Sequence, residues 1–137
     1  MKRKDKRQNL GRVILPTSHP NKPEQHEIDI AWILARHFQC TVEFLIPVDD
    51  YKRKTADIVM FGVEWEMKSP TGESKSTIGA QFRRASRQSG SIVLDSRRTK
   101  LKYEDIEKQV IIEAKQRTSI KRVILIDKLG KVVEIKK

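Results

Sequence analysis

Three side chains stand out for their types and spacing: Asp57, Glu66 and Lys68, the last two forming Glu-Met-Lys within Val63-Glu64-Trp65-Glu66-Met67-Lys68. Two carboxylates near one another repel unless something positive lies between them, and hard oxygen ligands suit a divalent cation such as magnesium or manganese. A lysine on the same side can hold a phosphate oxygen, orient an attacking water and stabilise developing negative charge, while a bound metal acidifies water and polarises phosphorus. That equipment suffices for phosphodiester hydrolysis. A bare E-x-K is also common by chance, and Glu64, Glu66 and Lys68 are equally readable as the solvated face of an amphipathic strand.

Whether these groups meet depends on the elements that carry them. ADIVMF (56–61) and VEWEMKS (63–69) both read as strands, the second alternating Val63, Trp65 and Met67 with Glu64, Glu66 and Lys68. With Phe61-Gly62 as a two-residue turn, Met60 pairs with Val63, Val59 with Glu64, Ile58 with Trp65, and Asp57 faces Glu66 with Cβ atoms about 4.5–5.5 Å apart. Lys68 then projects from the face of Glu66, one pleat further on. A different turn would offer Glu64 instead, but Glu64 has no lysine two residues later.

The remaining pattern frames this hairpin. Glu24 to Phe38 places Ile28, Ala31, Trp32, Ala35 and Phe38 on one helical face, and Thr41 to Val48 reads as a strand ending in a Pro47–Asp50 loop. Ser69-Pro70-Thr71-Gly72 breaks the motif strand, and Glu73 to Gln88 reads as a helix. Ser91 to Asp95 follows as a strand, Tyr103 to Arg117 as a helix, and Val123 to Asp127 with Val132 to Ile135 as a hairpin around Lys128-Leu129-Gly130. The order α-β-β-β-α-β-α-β-β predicts an α/β domain, a mixed sheet flanked by helices, over 26–137. Residues 1–25, basic and then proline-punctuated, read as an arm or linker. On the helix after the motif, Gln81, Arg84 and Gln88 form a polar stripe at three- and four-residue steps, with Arg87 beside it, which lines a nucleic-acid groove or simply faces solvent. Ser69 either hydrogen-bonds near the metal or ends the strand.

Composition narrows the partners. The 137 residues hold 29 Lys and Arg against 18 Asp and Glu, a net charge of +11, as expected of a protein that meets phosphate. Cys40 is the only cysteine, so no intrachain disulfide is possible, and His19, His26 and His37 match no zinc spacing. No apolar run approaches the roughly 20 residues that span a bilayer, and no signal-peptide core follows the basic start.

The stretch from His26 to Arg98 resembles the C-terminal nuclease domains of contact-dependent inhibition toxins of the CdiA type, in the PD-(D/E)XK, restriction-endonuclease-like superfamily. The carrying residues are HE at 26–27, VEFLIP at 42–47, TADI at 55–58, WEMKSPTGESKSTI at 65–78 and QFRRASRQS at 81–89. The resemblance implies that Asp57 and Glu66 are metal ligands, that Lys68 is the catalytic lysine and that Glu27 completes the metal site directly or through water. It favours Gln88 as a functional residue and tilts the substrate to RNA, tRNA in particular. Ala56 stands where the superfamily name calls for proline, a change many members share. The resemblance also implies an immunity protein that covers the cleft with an acidic surface, and action in the cytoplasm of a target cell after delivery within a larger secreted toxin. A DNA endonuclease of a toxin or mobile element, and a noncatalytic nucleic-acid-binding module, are the rival readings.

Overall fold

The computed structural model describes residues 11–16, 22–46, 56–74 and 76–137. Among these residues seven strands form one mixed sheet in chain order: β1 (Arg12–Ile14), β2 (Thr41–Phe44), β3 (Ile58–Met60), β4 (Val63–Lys68), β5 (Ser91–Asp95), β6 (Arg122–Ile126) and β7 (Val132–Lys136). Among the described residues three helices flank it: α1 (Gln25–Phe38), α2 (Thr77–Ala85) and α3 (Tyr103–Gln116). Pairs β1–β2, β4–β5 and β5–β6 are parallel, and the other neighbours are antiparallel. Each parallel pair is joined through a helix, since parallel neighbours need a long crossover that covers a sheet face.

The two faces bury separate cores. Ile30, Ala31, Leu34 and Ala35 of α1 pack on Val42, Phe44, Ile58, Met60, Trp65, Met67, Val93, Ile124 and Ile126. On the other face Ile78, Phe82 and Ala85 of α2, with Ile106, Val110 and Ala114 of α3, pack on Ile92, Leu94, Val123 and Leu125. All five residues of β5 are therefore buried, the run expected of a parallel strand covered on both sides.

The mixed sheet flanked by helices is the architecture expected from the sequence, with one strand more. Within residues 1–25, read as an arm or linker, Arg12–Ile14 pairs with Thr41–Glu43. Three residues in a basic, proline-rich stretch carry little periodicity; the backbone groups on the outer side of β2 supply the missing partner. Gly11 makes the approach possible, with φ +96° and so little room that a Cβ would land on the Ala35 carbonyl of α1. Lys2, Arg3, Lys4, Lys6 and Arg7 lie outside the described residues, as does the Pro47–Asp50 loop. The second helix is shorter than 73–88: Ser74 takes the Thr77 N–H on its carbonyl, and its hydroxyl bonds those of Ser76 and Thr77, so a turn replaces the first helical residues. Among the described residues, no helix is long and apolar enough to cross a membrane.

Candidate active site

The site begins at a turn. Phe61 and Gly62 both have positive φ, 57° and 71°, the conformation of a type I′ two-residue hairpin. The register that follows is Met60 with Val63, Val59 with Glu64 and Ile58 with Trp65. One step on, the Asp57 N–H donates to the Trp65 carbonyl at 3.0 Å, and Asp57 Oδ2 accepts the Met67 N–H at 2.7 Å. The carboxylate of Asp57 is thus tied to the strand that bears Glu66 and Lys68.

β4 is the central strand, so its ionisable face is not solvated. Glu66 is 2% exposed, among the residues that α2 helps to cover, and only Glu64 remains in water. Lys68 Nζ lies 3.0 Å from Glu66 Oε2, while Glu66 Oε1 is buried with no hydrogen-bond partner among the described residues. Burial, with the charge of Asp57 added, pushes the Glu66 carboxyl up to about 8 against the pull of Lys68. Burial also raises Asp57, although the Met67 N–H and Lys68 oppose it. Two desolvated carboxyls side by side, one with an orphaned oxygen, favour a shared proton or a cation. The donors of Asp57 and Glu66 fit a hard divalent ion.

Glu27 does not join them. Among the described residues no three His, Cys, Asp or Glu side chains gather into a metal-binding group. Glu27 Oε1 accepts the Glu24 N–H at 2.8 Å as half of the capping box of α1, which fixes it over the start of that helix. It shares with Asp57, Lys22, Phe44 and Leu45 a cavity of about 100 Å³ that neither Glu66 nor Lys68 lines. Helix α1 therefore approaches Asp57 from behind, and α2 closes the side of Glu66.

On that side Lys68, Arg84, Arg87 and Gln88 line a cavity of about 260 Å³. Arg84 is on α2, but Arg87 and Gln88 sit in the turn beyond Ala85, held by N–H bonds to the carbonyls of Arg84 and Ala85. The expected stripe is consequently broken: Gln81 is half-buried and lines no part of this cavity. Ser89, unremarked in the sequence beyond its place in a motif, anchors the turn by donating its hydroxyl to the Glu64 carbonyl at 2.7 Å and accepting the Ser91 N–H at 3.0 Å.

Ser69 points to the α1 side, where its hydroxyl donates to Asp95 Oδ2 at 3.2 Å. Asp95 is fully buried and grips Arg97; beyond it, Arg98 Nη1 lies 3.0 Å from His26 Nε2. Sequence reasoning missed this group. Its one signal is a carboxylate ending an otherwise apolar buried strand, Ser91-Ile92-Val93-Leu94-Asp95, just before Arg97-Arg98.

Comparison with curated proteins yields no match. A solved structure described as a CdiA-CT/CdiI toxin and immunity complex from Burkholderia pseudomallei is similar in fold, with a TM-score of 0.65 and 22% identity over 93% of this chain and 100% of that one. Residues 54–132, more than half the chain, match the family described as Contact-dependent growth inhibition CdiA C-terminal domain. The stretch runs from just before Asp57 into β7 and includes every element of the candidate site except α1. The chain belongs to the contact-dependent growth inhibition CdiA C-terminal domain family, a family of toxin domains.

Proposed function

We propose that this toxin domain is a metal-dependent nuclease of the PD-(D/E)XK type that hydrolyses phosphodiester bonds of RNA, tRNA in particular. The observation that carries the reading is the Asp57–Glu66 pair, Glu66 buried and Asp57 half-buried, with Glu66 Oε1 left without a hydrogen-bond partner among the described residues and Lys68 3.0 Å from Oε2 leading to a basic cavity. Fold stability alone would not select a buried carboxylate in the central strand with a second one facing it from the neighbouring chain segment.

Asp57 and Glu66 would hold Mg2+ or Mn2+, with Glu27 contributing through water across the cavity it shares with Asp57. When bound, such an ion supplies Lewis acidity and acidifies a water. Lys68, pinned by Glu66 and only partly exposed, offers its remaining N–H donors to an oxygen of the scissile phosphate, where charge develops. Arg84, Arg87 and Gln88 bind phosphate and ribose on either side, with α2 and its turn holding them at the mouth of the cavity.

The partner that blocks such a site in the producing cell would be an immunity protein whose acidic surface complements the net charge of +11 and covers the Lys68 cavity. The place of action is the cytoplasm of a target cell reached by delivery as the end of a larger protein. Incubation with total tRNA and with plasmid DNA, in Mg2+, Mn2+ and EDTA, tests the reading. Cleavage of tRNA that EDTA abolishes is expected. Cleavage of plasmid alone makes the domain a DNase, and binding of either without cleavage makes it a noncatalytic module.

A further inference from the structure

The fully buried Asp95 carboxylate is saturated by four hydrogen bonds, three of them from one residue. Oδ1 accepts the Arg97 backbone N–H at 3.0 Å and Arg97 Nε–H at 2.9 Å; Oδ2 accepts Arg97 Nη2–H at 3.0 Å and the Ser69 hydroxyl at 3.2 Å. Its position follows from the register, because Lys68 pairs with Leu94 and the next step sets Ser69 beside Asp95. Along both strands that step changes face, so Lys68 opens to the α2 side and Ser69, Asp95 and Arg97 open to the α1 side. The carboxyl ends of parallel β4 and β5 therefore carry basic groups on both flanks, at the location where open α/β sheets bind ligands.

A buried ion pair is weak support for a fold, and an apolar side chain at 95 would pack as Val93 does. What the pair does provide is a fixed guanidinium. Of the five N–H donors of Arg97, two are spent on Asp95, and the side chain is 27% exposed. Three donors remain in a plane that the bidentate contact holds still, the geometry that suits a phosphate. Arg98 beside it is exposed and adds charge to the same flank.

We propose that Arg97 binds a backbone phosphate of the RNA next to the one at Lys68, and that Asp95 is the residue that positions it, so that the substrate crosses the β4–β5 strand ends from the α2 side to the α1 side. This rests on the nuclease reading. It adds a second binding wall, made of residues outside the Lys68 cavity.

The test is binding of labelled total tRNA in EDTA over a series of salt concentrations, with cleavage kinetics in Mn2+ on the same preparations. Arg97→Ala is expected to weaken binding about five- to tenfold and to reduce the slope of log K against log salt by about 0.7–0.9, one phosphate contact. KM should rise while kcat stays within about twofold. Arg97→Lys should restore the slope but only part of the affinity, since an ammonium lacks the fork, and it serves as the reading variant if the alanine protein does not fold. Asp95→Asn should weaken binding, and the Asp95→Asn, Arg97→Ala double variant should bind no worse than Arg97→Ala alone. Wild-type affinity and slope in a folded Arg97→Ala protein that melts at lower temperature would reduce the pair to a structural one and overturn the inference, leaving the nuclease reading intact. Absence of salt-dependent tRNA binding by the wild-type protein overturns both.

Discussion

Lys68 Nζ lies 3.0 Å from one oxygen of Glu66, and the other oxygen of that carboxylate has no hydrogen-bond partner among the described residues. One side chain thus faces in two directions, toward a lysine at the mouth of a basic cavity and toward a neighbouring aspartate. The two directions separate the roles of the three residues.

Removing a ligand and removing the lysine should fail differently. Asp57→Ala or Glu66→Ala is expected to lose both Mn2+ affinity and cleavage. Lys68→Ala keeps both carboxylates, so it should retain or tighten metal binding while cleavage falls by about a hundredfold or more, the scale of a deleted charge stabiliser. Calorimetry with Mn2+ and cleavage of labelled tRNA decide this. Near-normal cleavage by folded Lys68→Ala removes the lysine from the chemistry.

The metal-free protein should lose stability as pH rises. Glu66 has its carboxyl raised from 4.5 to about 8, so the folded state holds that proton more tightly than the unfolded chain. Its favourable contribution is complete below about pH 4.5, falls away through the interval up to about 8 and is absent above, a change on the order of a few kcal/mol. Glu66→Gln, uncharged throughout, should flatten that part of the profile and melt higher than wild type at pH 8.5 in EDTA. Saturating Mn2+ should stabilise wild type at that pH and not the variant. Equal pH dependence of melting in the two proteins contradicts a buried Glu66 carboxyl facing Asp57.

Gly11→Ala tests whether β1 belongs to the folded unit. The new Cβ meets the Ala35 carbonyl and the backbone sits at φ +96°, so the expected cost is about 2–4 kcal/mol in urea unfolding. A change within about 0.5 kcal/mol would show that β1 can leave without consequence.

Deletion of residues 1–10, which carry Lys2, Arg3, Lys4, Lys6 and Arg7, stops short of β1 and should flatten the salt dependence of RNA binding while sparing cleavage at low salt. Loss of cleavage in the folded, truncated protein would make that segment part of the site.

The reading of the hairpin needed only local rules. A two-residue turn with Gly62 dictates the pairing, and pairing dictates that Asp57 meets Glu66, because strand periodicity leaves one register once the turn is chosen. The amphipathic pattern likewise marked α1, α3 and most strands by their own residues. Tertiary structure alone decided what those side chains experience. Glu66, on a face that reads as wholly ionisable, is buried because β4 takes the central place and α2 covers it, and strand order is a long-range property that no window of sequence contains. Glu27 closes the capping box of its own helix start and also borders the cavity beside Asp57, a placement that only the packing of α1 on the sheet decides. β1 forms because β2 has an open side, and Asp95 meets Ser69 because parallel pairing sets the ends of β4 and β5 level. For Glu66, for β1 and for the Ser69–Asp95 contact the deciding partner is distant in the chain, and its energy appears only when the sheet assembles.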